Sequence, residues 1–511
     1  MLRIRICTIW IGGWIVLSLF SGNGAAQRPG SLVLTPGVRQ LFLDDYLLGN
    51  LYRVRRVIHQ PHRYEGSPVV RADQPWEIRP GRYAAPGTTP VESRAIQVTS
   101  VPSWDPGEKV WKMWYHGGPG KTAFARSREG IVWEKPVLGV KEFRGSRENN
   151  LVAVRGEPDA LVQHVILDPQ GTGERRFKGV LGPRDRRPVV SADGYLFTKL
   201  DVPPIPSQDT SQLTYDELGK QYILTVKHRG PFGRSVYLSL SRDFEQWTDP
   251  QLIFHADALD QKLGEQRIRE HLVDPRLYTP QFNQPENYNT EVYKMPIFPY
   301  EGVYIGLPNY FESSGLTPPH HNNQDGVNSA KLATSRDLLN WVPVGTRESF
   351  LPVSRLGEGR IDTAQVLPVS RPIVKGDELW FYYSGVDVRY PANGAFQAAI
   401  HLARLRRDGF VSFWADEKGG FVETGPLRFG GTRLWLNADA SGGEIRVEVR
   451  NSRGREALEG WTRDASKPLT TDQLKVRLEW EGKDSLESLN GQSVRFRFHL
   501  KNAHLYSFWF E

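Results

Sequence analysis

Short runs of apolar residues recur along the chain, and polar residues with turn preferences separate them. These runs are rich in aromatic and β-branched residues, as in Trp111–Tyr115, Tyr222–Val226, Val303–Leu307 and Leu379–Tyr383. Runs of this length that alternate or are wholly apolar predict β-strands. Helical periodicity is almost absent from the chain, so the pattern predicts a protein that is nearly all β.

A turn-like pattern follows such runs five times: a Ser, any residue, an acid, three residues and an aromatic. Four copies begin at Ser127, Ser191, Ser241 and Ser335, and a looser copy without the Ser covers 407–413. The Ser and the acid can hydrogen-bond to the backbone of a turn. Repeats spaced by about 40 residues or more are typical of propellers, solenoids and arrays. The repeat therefore predicts a five-bladed β-propeller in which these acids are structural.

The rhythm of the strands changes after Ala415. Shorter alternating strands follow, of which Ser493–Leu500 is the clearest, and they predict a β-sandwich over 416–511. We assign 27–415 to the propeller. Within it, the run 40–48 is predicted to be a strand that closes the propeller. The segment 309–328 is predicted to be a long polar loop with a functional role.

The N-terminus has the pattern of a secretory signal peptide. Arg3 and Arg5 precede an apolar stretch over 6–20, and Gly24-Ala25-Ala26 is a small-residue cleavage site. We expect 1–26 to be removed and the protein to be secreted or periplasmic; the alternative is an uncleaved anchor. The sole cysteine is Cys7, so the mature chain would hold no disulfide and no thiolate nucleophile.

Composition excludes some partners and leaves others open. The net charge of +7 comes from 65 basic and 58 acidic residues without a basic run, which argues against a nucleic-acid partner. No membrane span is expected after removal of the signal. The chain holds 15 Trp, 19 Tyr and 23 Phe, side chains that stack on sugar rings and also fill the interfaces between blades. Packing in the core explains most of these aromatic residues, and the mild positive charge leaves an acidic polysaccharide partner open.

Five blades followed by a sandwich resemble the architecture of the fructan-acting glycoside hydrolases of family 32. The propeller alone is similar to family 43, which acts on arabinan and xylan. The runs Leu41–Leu47 and Tyr293–Gly302 also resemble a group of exported bacterial proteins described as glycosyl-hydrolase-like. The resemblance implies a secreted glycoside hydrolase-like protein that acts on a poly- or oligosaccharide. A non-catalytic carbohydrate-binding or surface-interaction propeller is the alternative.

The motifs of family 32 are not preserved. Its Trp-Met-Asn-Asp-Pro-Asn-Gly opening is absent, and a mature chain without Cys cannot contain its Glu-Cys motif. Asp274-Pro275 lacks the preceding Arg of the family's Arg-Asp-Pro triplet. Fructan hydrolysis is therefore not expected, and any catalytic site has to be derived from this sequence itself.

An acid begins the predicted innermost strand of every blade. Since innermost strands line the channel of a propeller, we expect these acids to meet at one mouth, with Asp209, Glu291 and Asp362 converging and two others nearby. Glycoside hydrolysis uses two carboxyl groups, one as the acid and the other as nucleophile or base. The predicted catalytic residues are Glu92, Asp159, Asp209, Glu291 and Asp362, and the predicted substrate-binding residues are Arg94, Gln212, Tyr293, Tyr310 and Gln365.

Other interpretations of these acids stay open. They can cap strand ends, bind a structural cation in the channel, or pair with Arg94, Arg276 or Arg360. Glu301 competes with Glu291 for the position in the fourth blade.

Two further polar pairs have a structural and a functional interpretation each. Asp44-Asp45 is a second candidate for the acid, although stabilisation of a turn is favoured. His320-His321 can bind a metal, but adjacent His residues in a loop are usually solvated. No cofactor motif is found, so no cofactor or metal is expected.

Overall fold

The structure, a computed structural model, describes residues 30–79, 91–317, 323–390 and 395–511. The predicted signal peptide over 1–26 and the pair His320-His321 lie outside the described residues. Strands make up most of the secondary structure, which confirms the all-β prediction. Short 3-10 helices cover Pro75–Glu77, Gly173–Arg175, Pro285–Asn287 and Glu487–Leu489.

Five short strands form the N-terminal part of the described chain. They are β1 Leu32–Val33, β2 Gln40–Leu41, β3 Leu48–Tyr52, β4 Arg55–Ile58 and β5 His62–Arg63.

Within each of the first three predicted blades the strands pair antiparallel, except that the first strand of the second blade is parallel to the last one. In the first they are β6 Ile78–Arg79, β7 Ser93–Val98, β8 Ser103–Asp105, β9 Val110–Gly117 and β10 Thr122–Ser127. In the second they are β11 Ala153–Val154, β12 Leu161–Leu167, β13 Phe177–Gly182, β14 Arg187–Ser191 and β15 Leu196–Lys199. In the third they are β16 Ser211–Asp216, β17 Gln221–Gly230, β18 Gly233–Ser241 and β19 Gln251–Phe254.

A helix, α1 Ala258–Val273, connects the third predicted blade to the fourth. The fourth blade contains β20 Asn289–Lys294, β21 Ile297–Tyr300, β22 Val303–Gly306, β23 Asn309–Thr317, β24 Asn323–Ala330, β25 Ala333–Ser335 and β26 Trp341–Pro343. The segment 309–328, predicted to be a loop, is therefore mostly the hairpin of β23 and β24. The loop prediction is wrong because the two strands pair antiparallel, with Asn309 opposite Ala330 and Thr317 opposite Asn323. This pairing satisfies the backbone N–H and C=O groups of these polar residues.

The fifth predicted blade contains β27 Gln365–Pro368, β28 Ile373–Lys375, β29 Glu378–Val386 and β30 Gln397–Arg406. Parallel pairing joins β30 to β7 and β24 to β27, so strands of three predicted blades belong to one large sheet. Sheets packed round one centre are the arrangement of a propeller. The number of five blades stays a prediction, because these sheets are not separate.

The C-terminal strands build a sandwich of two sheets. They are β31 Val411–Ala415, β32 Gly420–Thr424, β33 Leu427–Arg428, β34 Leu434–Asp439, β35 Glu444–Asn451, β36 Asp472–Leu478, β37 Val494–Lys501 and β38 Ala503–Phe510. One sheet contains β1, β3, β32, β33, β35 and β37, and the other contains β2, β4, β31, β34, β36 and β38. Apolar side chains from both sheets, such as Phe42, Val447 and Phe508, form a shared core.

The N-terminal strands join this sandwich, which differs from the prediction that 40–48 closes the propeller. Gln40 pairs with Phe508, and Leu48 pairs with Thr424. Instead, β5 pairs with the last propeller strand, where Arg63 lies opposite Ala403. The strand β31 likewise pairs with β38 and β4, although the sequence analysis placed it in the propeller, within 27–415. The apolar side chains of these strands fill the sandwich core, which decides where they pair.

The repeated motif forms the same turn at its four complete copies. In each copy the acid's carboxylate accepts hydrogen bonds from following backbone N–H groups, as Asp243 does from Glu245 and Gln246 at 2.9 and 2.8 Å. In three copies the Ser hydroxyl accepts a backbone N–H three residues on, as Ser241 does from Phe244 at 2.9 Å. The structural role predicted for these acids is consistent with this geometry.

Asp44 and Asp45 also stabilise a turn. Asp44 accepts the backbone N–H of Tyr46 at 3.1 Å and two guanidinium N–H groups of Arg336 at 2.9 and 3.0 Å. Asp45 pairs with Arg56 at 2.5 Å. These contacts agree with the turn interpretation.

Candidate functional site

A central pocket of about 540 Å³ lies where the innermost strands meet. Residues of β7, β12, β16, β20 and β27 line it, one strand from each predicted blade. Its volume is within the usual range for small-molecule sites. The fold therefore directs side chains from five separate parts of the chain into one cavity.

Long polar side chains from all five of these strands line the pocket. Four of the strands contribute a glutamine, and β20 contributes Lys294 in its place; the glutamines are Gln97, Gln163, Gln212 and Gln365. Gln212 accepts the backbone N–H of Ser370 at 3.1 Å, which fixes its carbonyl oxygen. Amide side chains both donate and accept hydrogen bonds, as the hydroxyl groups of a sugar also do.

Two strand irregularities each place consecutive side chains in the pocket. In a regular strand, neighbouring side chains point to opposite faces. The pairing of β12 with β13 shifts between Gln163 and Ile166, and His164 has a φ of 53°. As a result, Gln163 and His164 both line the pocket. Bulges re-aim side chains in this way and are frequent beside active sites.

The second irregularity lies in β20. Its pairing with β23 shifts between Val292 and Lys294, and both Tyr293 and Lys294 line the pocket. Lys227 lies over the ring of Tyr293, with its Nζ 4.3 Å from the ring centroid. The Thr210 hydroxyl donates to the carbonyl of Tyr293 at 3.0 Å and ties β20 to the start of β16.

Two of the five predicted catalytic carboxylates line the pocket, Asp159 and Asp209. Both are exposed and paired with a lysine: Asp159 with Lys141 at 3.3 Å, and Asp209 with Lys227. Partial desolvation in the pocket raises the pKa of Asp209, but the charge and hydrogen bond of Lys227 outweigh it and hold that pKa below its ordinary value. Asp209 is thus an ionised carboxylate at the pocket wall.

The other three predicted carboxylates do not line the pocket. Glu291 is buried against Arg234 and accepts the Asn289 amide at 3.2 Å. Glu291 and Lys294 pair with Phe311 and Asn309 of β23, so they share a face of β20, but Glu291 lies outside the lining, where it pairs with Arg234. Asp362 is fully buried, and Glu92 lies exposed at the start of β7. The predicted convergence of Asp209, Glu291 and Asp362 at one mouth is not what this geometry gives.

Asp362 is part of a buried cluster at the edge of the propeller. Its carboxylate accepts from Arg63 Nε and from the Tyr383 hydroxyl, both at 2.8 Å. Burial raises the pKa of Asp362, yet the charge of Arg63 outweighs burial and lowers the pKa overall. The contacts of Asp362 are those of a structural ion pair, one of the alternatives that the sequence left open.

Three of the five predicted substrate-binding residues line the pocket: Gln212, Tyr293 and Gln365. Tyr310 is 1% exposed, and its hydroxyl donates to Asp260 at 3.2 Å, so its ring faces the protein interior. Arg94 is exposed on β7 and is not part of the lining. Glu301 accepts the Arg39 backbone N–H at 3.0 Å and lines a different cavity.

Sequence reasoning missed five ionisable residues in the pocket lining: Arg79, His116, His164, Lys294 and Arg389. Burial, with the nearby charges of Arg79, Lys294 and Arg186, lowers the pKa of His116 to about 3. Burial alone lowers the pKa of Lys294 to about 7. A glutamine three to five residues after each acid was a signal for the lining, and Lys294 keeps that spacing after Glu291 but is not a glutamine.

The described residues contain neither a cluster of metal ligands nor a membrane-spanning helix. No group of three or more His, Cys, Asp or Glu side chains in those parts of the chain is placed to hold a metal ion. Within the same ranges, no helix has the length and apolar character needed to cross a bilayer.

The sequence matches no protein-family model, and no curated protein matches it. Some solved structures are similar to this chain at low identity. An N-acetylgalactosamine deacetylase from F. plautii, in complex with blood group B trisaccharide, is 12% identical over 74% of this chain and 96% of that chain, with a TM-score of 0.37. A structure from the GH130 family, described as mannoside phosphorylases that include glycoside hydrolases targeting β-1,2 mannosidic linkages in Candida mannan, is 12% identical over 72% and 96%, with a TM-score of 0.37.

A family 32 β-fructofuranosidase from Bombyx mori is 10% identical over 80% of this chain and 90% of that chain, with a TM-score of 0.33. Likenesses at these identities and TM-scores carry no conclusion about substrate or reaction.

Proposed function

We propose that the protein binds a poly- or oligosaccharide in the central pocket and acts on it as a glycoside hydrolase does. The observation that carries this proposal is the ring of glutamines from four innermost strands, with Tyr293 beside it. Amide groups can hydrogen-bond sugar hydroxyls in both directions. An aromatic ring in the same wall offers an apolar face for the C–H groups of a sugar.

Hydrolysis of a glycosidic bond requires two carboxyl groups near one bond. Asp209 suits the nucleophile or base, because Lys227 keeps its carboxylate ionised. Asp159 is the second carboxylate in the lining and is proposed as its partner.

Non-catalytic carbohydrate binding is the second candidate function. The observation that favours it is the pairing of both lining carboxylates with lysines, Lys141 and Lys227. An ion-paired carboxylate is a poor proton donor because the neighbouring positive charge favours its ionised form.

A screen of the purified mature protein against a polysaccharide panel tests the proposal. Released sugars that disappear in Asp209→Asn support hydrolysis. Binding without release, retained in Asp209→Asn, favours the second function. If no polysaccharide binds or is cleaved, the proposal of a carbohydrate site fails.

We also propose that the protein is exported after cleavage near Gln27, on the basis of the basic and apolar pattern in 1–26. N-terminal sequencing of the protein from the producing cells checks this. A mature chain that retains residues 1–26 would contradict cleavage and favour the anchor.

A further inference from the structure

The charges in the central pocket are unevenly compensated. Arg79, Lys294 and Arg389 line it as cations. The two carboxylates in the described lining, Asp159 and Asp209, already pair with Lys141 and Lys227. Counting these two lysines, the cations at the pocket therefore outnumber the carboxylates of its lining.

Lys294 is the most important of these cations for the argument about a ligand, because its side chain has no partner in the described part of the chain. It is half-buried, and the structure gives its side chain no hydrogen-bond or ion-pair partner among the described residues. Buried cations in proteins are normally paired, because an unpaired charge is costly to remove from water. A lysine left unpaired in a pocket wall points to a partner that the ligand supplies.

Other polar groups beside Lys294 also lack partners. His164 donates from Nδ1 to the Thr99 carbonyl at 2.6 Å, which leaves its buried Nε2 without a hydrogen bond. The buried Gln163 Oε1 has none either. Buried polar atoms are rarely left unsatisfied in native proteins, and both of these belong to residues of the pocket lining.

Arg186 strengthens the positive character of the same wall. It is fully buried, donates to Ser211 Oγ and the Gln208 carbonyl at 2.7 Å each, and keeps Nη1 unpartnered. A Cβ at Gly182, in the pocket lining, would lie 3.1 Å from this Nη1. The unpartnered nitrogen therefore lies directly behind the wall.

We propose that the sugar bound in this pocket carries an anionic group, a carboxylate or a sulfate ester, that pairs with Lys294 beside Arg79 and His116. This inference rests on the proposed carbohydrate site and names its substrate class. The anion belongs to a sugar rather than to a free ion because the cavity of about 540 Å³ far exceeds one small oxyanion, and its glutamines suit neutral hydroxyls.

Isothermal titration calorimetry with matched pairs of oligosaccharides tests the proposal. Each uronic acid oligosaccharide is compared with its methyl ester, and each sulfated oligosaccharide with its desulfated form. We expect the acidic member of one pair to bind at least tenfold more tightly than its neutral form. Lys294→Met should abolish that preference. Lys262→Met, which removes the same charge from the exposed surface of α1, should keep it, and melting curves should show all variants folded.

The outcomes separate this inference from the proposed function. Neutral forms that bind as tightly as acidic ones overturn the anionic substrate but leave the carbohydrate site standing. A preference that persists in Lys294→Met overturns the role of Lys294. Saturable, Lys294-dependent binding of inorganic sulfate or phosphate alone, without discrimination within any pair, overturns the assignment of the anion to the sugar. If no oligosaccharide of either kind binds, the proposed function itself fails.

Discussion

Arg63 donates from Nε to the buried carboxylate of Asp362 at 2.8 Å, and this bond ties an N-terminal strand to the last propeller strands. Arg63 lies on β5, which pairs with β30, whereas Asp362 precedes β27. The two residues are 299 positions apart in the chain. Closure of the propeller therefore uses a buried ion pair as well as backbone pairing.

Replacing Asp362 by Ala should destabilise the fold strongly. Loss of one partner of a buried ion pair leaves the other charge uncompensated and costs about 3–5 kcal/mol. Urea denaturation measures the change in the free energy of unfolding. Asp45→Ala, which breaks the more exposed pair with Arg56, is the control and should cost no more than about 1 kcal/mol. Equal losses in both variants would refute the role of Asp362 in closure.

Asp209 and Asp362 should respond differently when each is replaced by Asn. On a glycan that the protein cleaves, Asp209→Asn should lower kcat/KM by about 100-fold or more, because it removes the ionised carboxylate from the pocket wall. Asp362→Asn should lower the melting temperature instead, and its kcat/KM below that temperature should stay close to that of the unchanged protein. Full activity of Asp209→Asn would exclude Asp209 from the chemistry.

Local chemistry made much of the fold predictable. The Ser and the acid of a repeat form hydrogen bonds with backbone groups within a few residues. The turn at Ser241 can therefore be predicted without tertiary information. The apolar runs likewise became strands. In contrast, α1 left no apolar stripe in the sequence, because its buried residues include Asp260, Gly264 and His271. Its buried face is fixed by neighbours that sequence periodicity does not contain.

The site was less predictable because long-range pairing decides which side chains enter the pocket. An acid at the start of an innermost strand is near the mouth, but bulges and alternation set its direction. Asp209 lines the pocket, whereas the carboxylate of Glu291 forms an ion pair with Arg234. Lys294 lines the pocket beside a shift in the register of β20 against β23. The partner of Gln40 is Phe508, at the other end of the chain, which no local pattern reveals.

Lys294→Met should stabilise the protein below about pH 7 and have little effect at about pH 10. Burial lowers the pKa of Lys294 from 10.5 to about 7. Between these values the unfolded chain holds a proton that the folded chain lacks, so the free energy of unfolding rises with pH. The cost of burying the charge is thus fully present below about pH 7, on the order of a few kcal/mol, and vanishes towards the unfolded pKa.

Thermal melts of both proteins at about pH 6 and about pH 10 check this sign. The melting temperature of Lys294→Met should exceed that of the unchanged protein at the lower pH by more than at the higher. Lys262→Met is the control and should show no such trend. A difference that is the same at both pH values would show that the charge of Lys294 is not the cause.

Asp408 should couple the propeller to the sandwich. Its buried carboxylate accepts from Arg39 at 2.6 Å and from the hydroxyls of Tyr300 and Ser507 at 2.7 Å each. Tyr300 belongs to β21 and Ser507 to β38, so one side chain holds both parts. Asp408→Ala should cost about 3–5 kcal/mol in urea denaturation because Arg39 loses its buried partner. Tyr300→Phe and Ser507→Ala each remove one hydrogen bond and should cost about 1 kcal/mol. If Asp408→Ala costs no more than either single hydroxyl deletion, the carboxylate is not the centre of this contact.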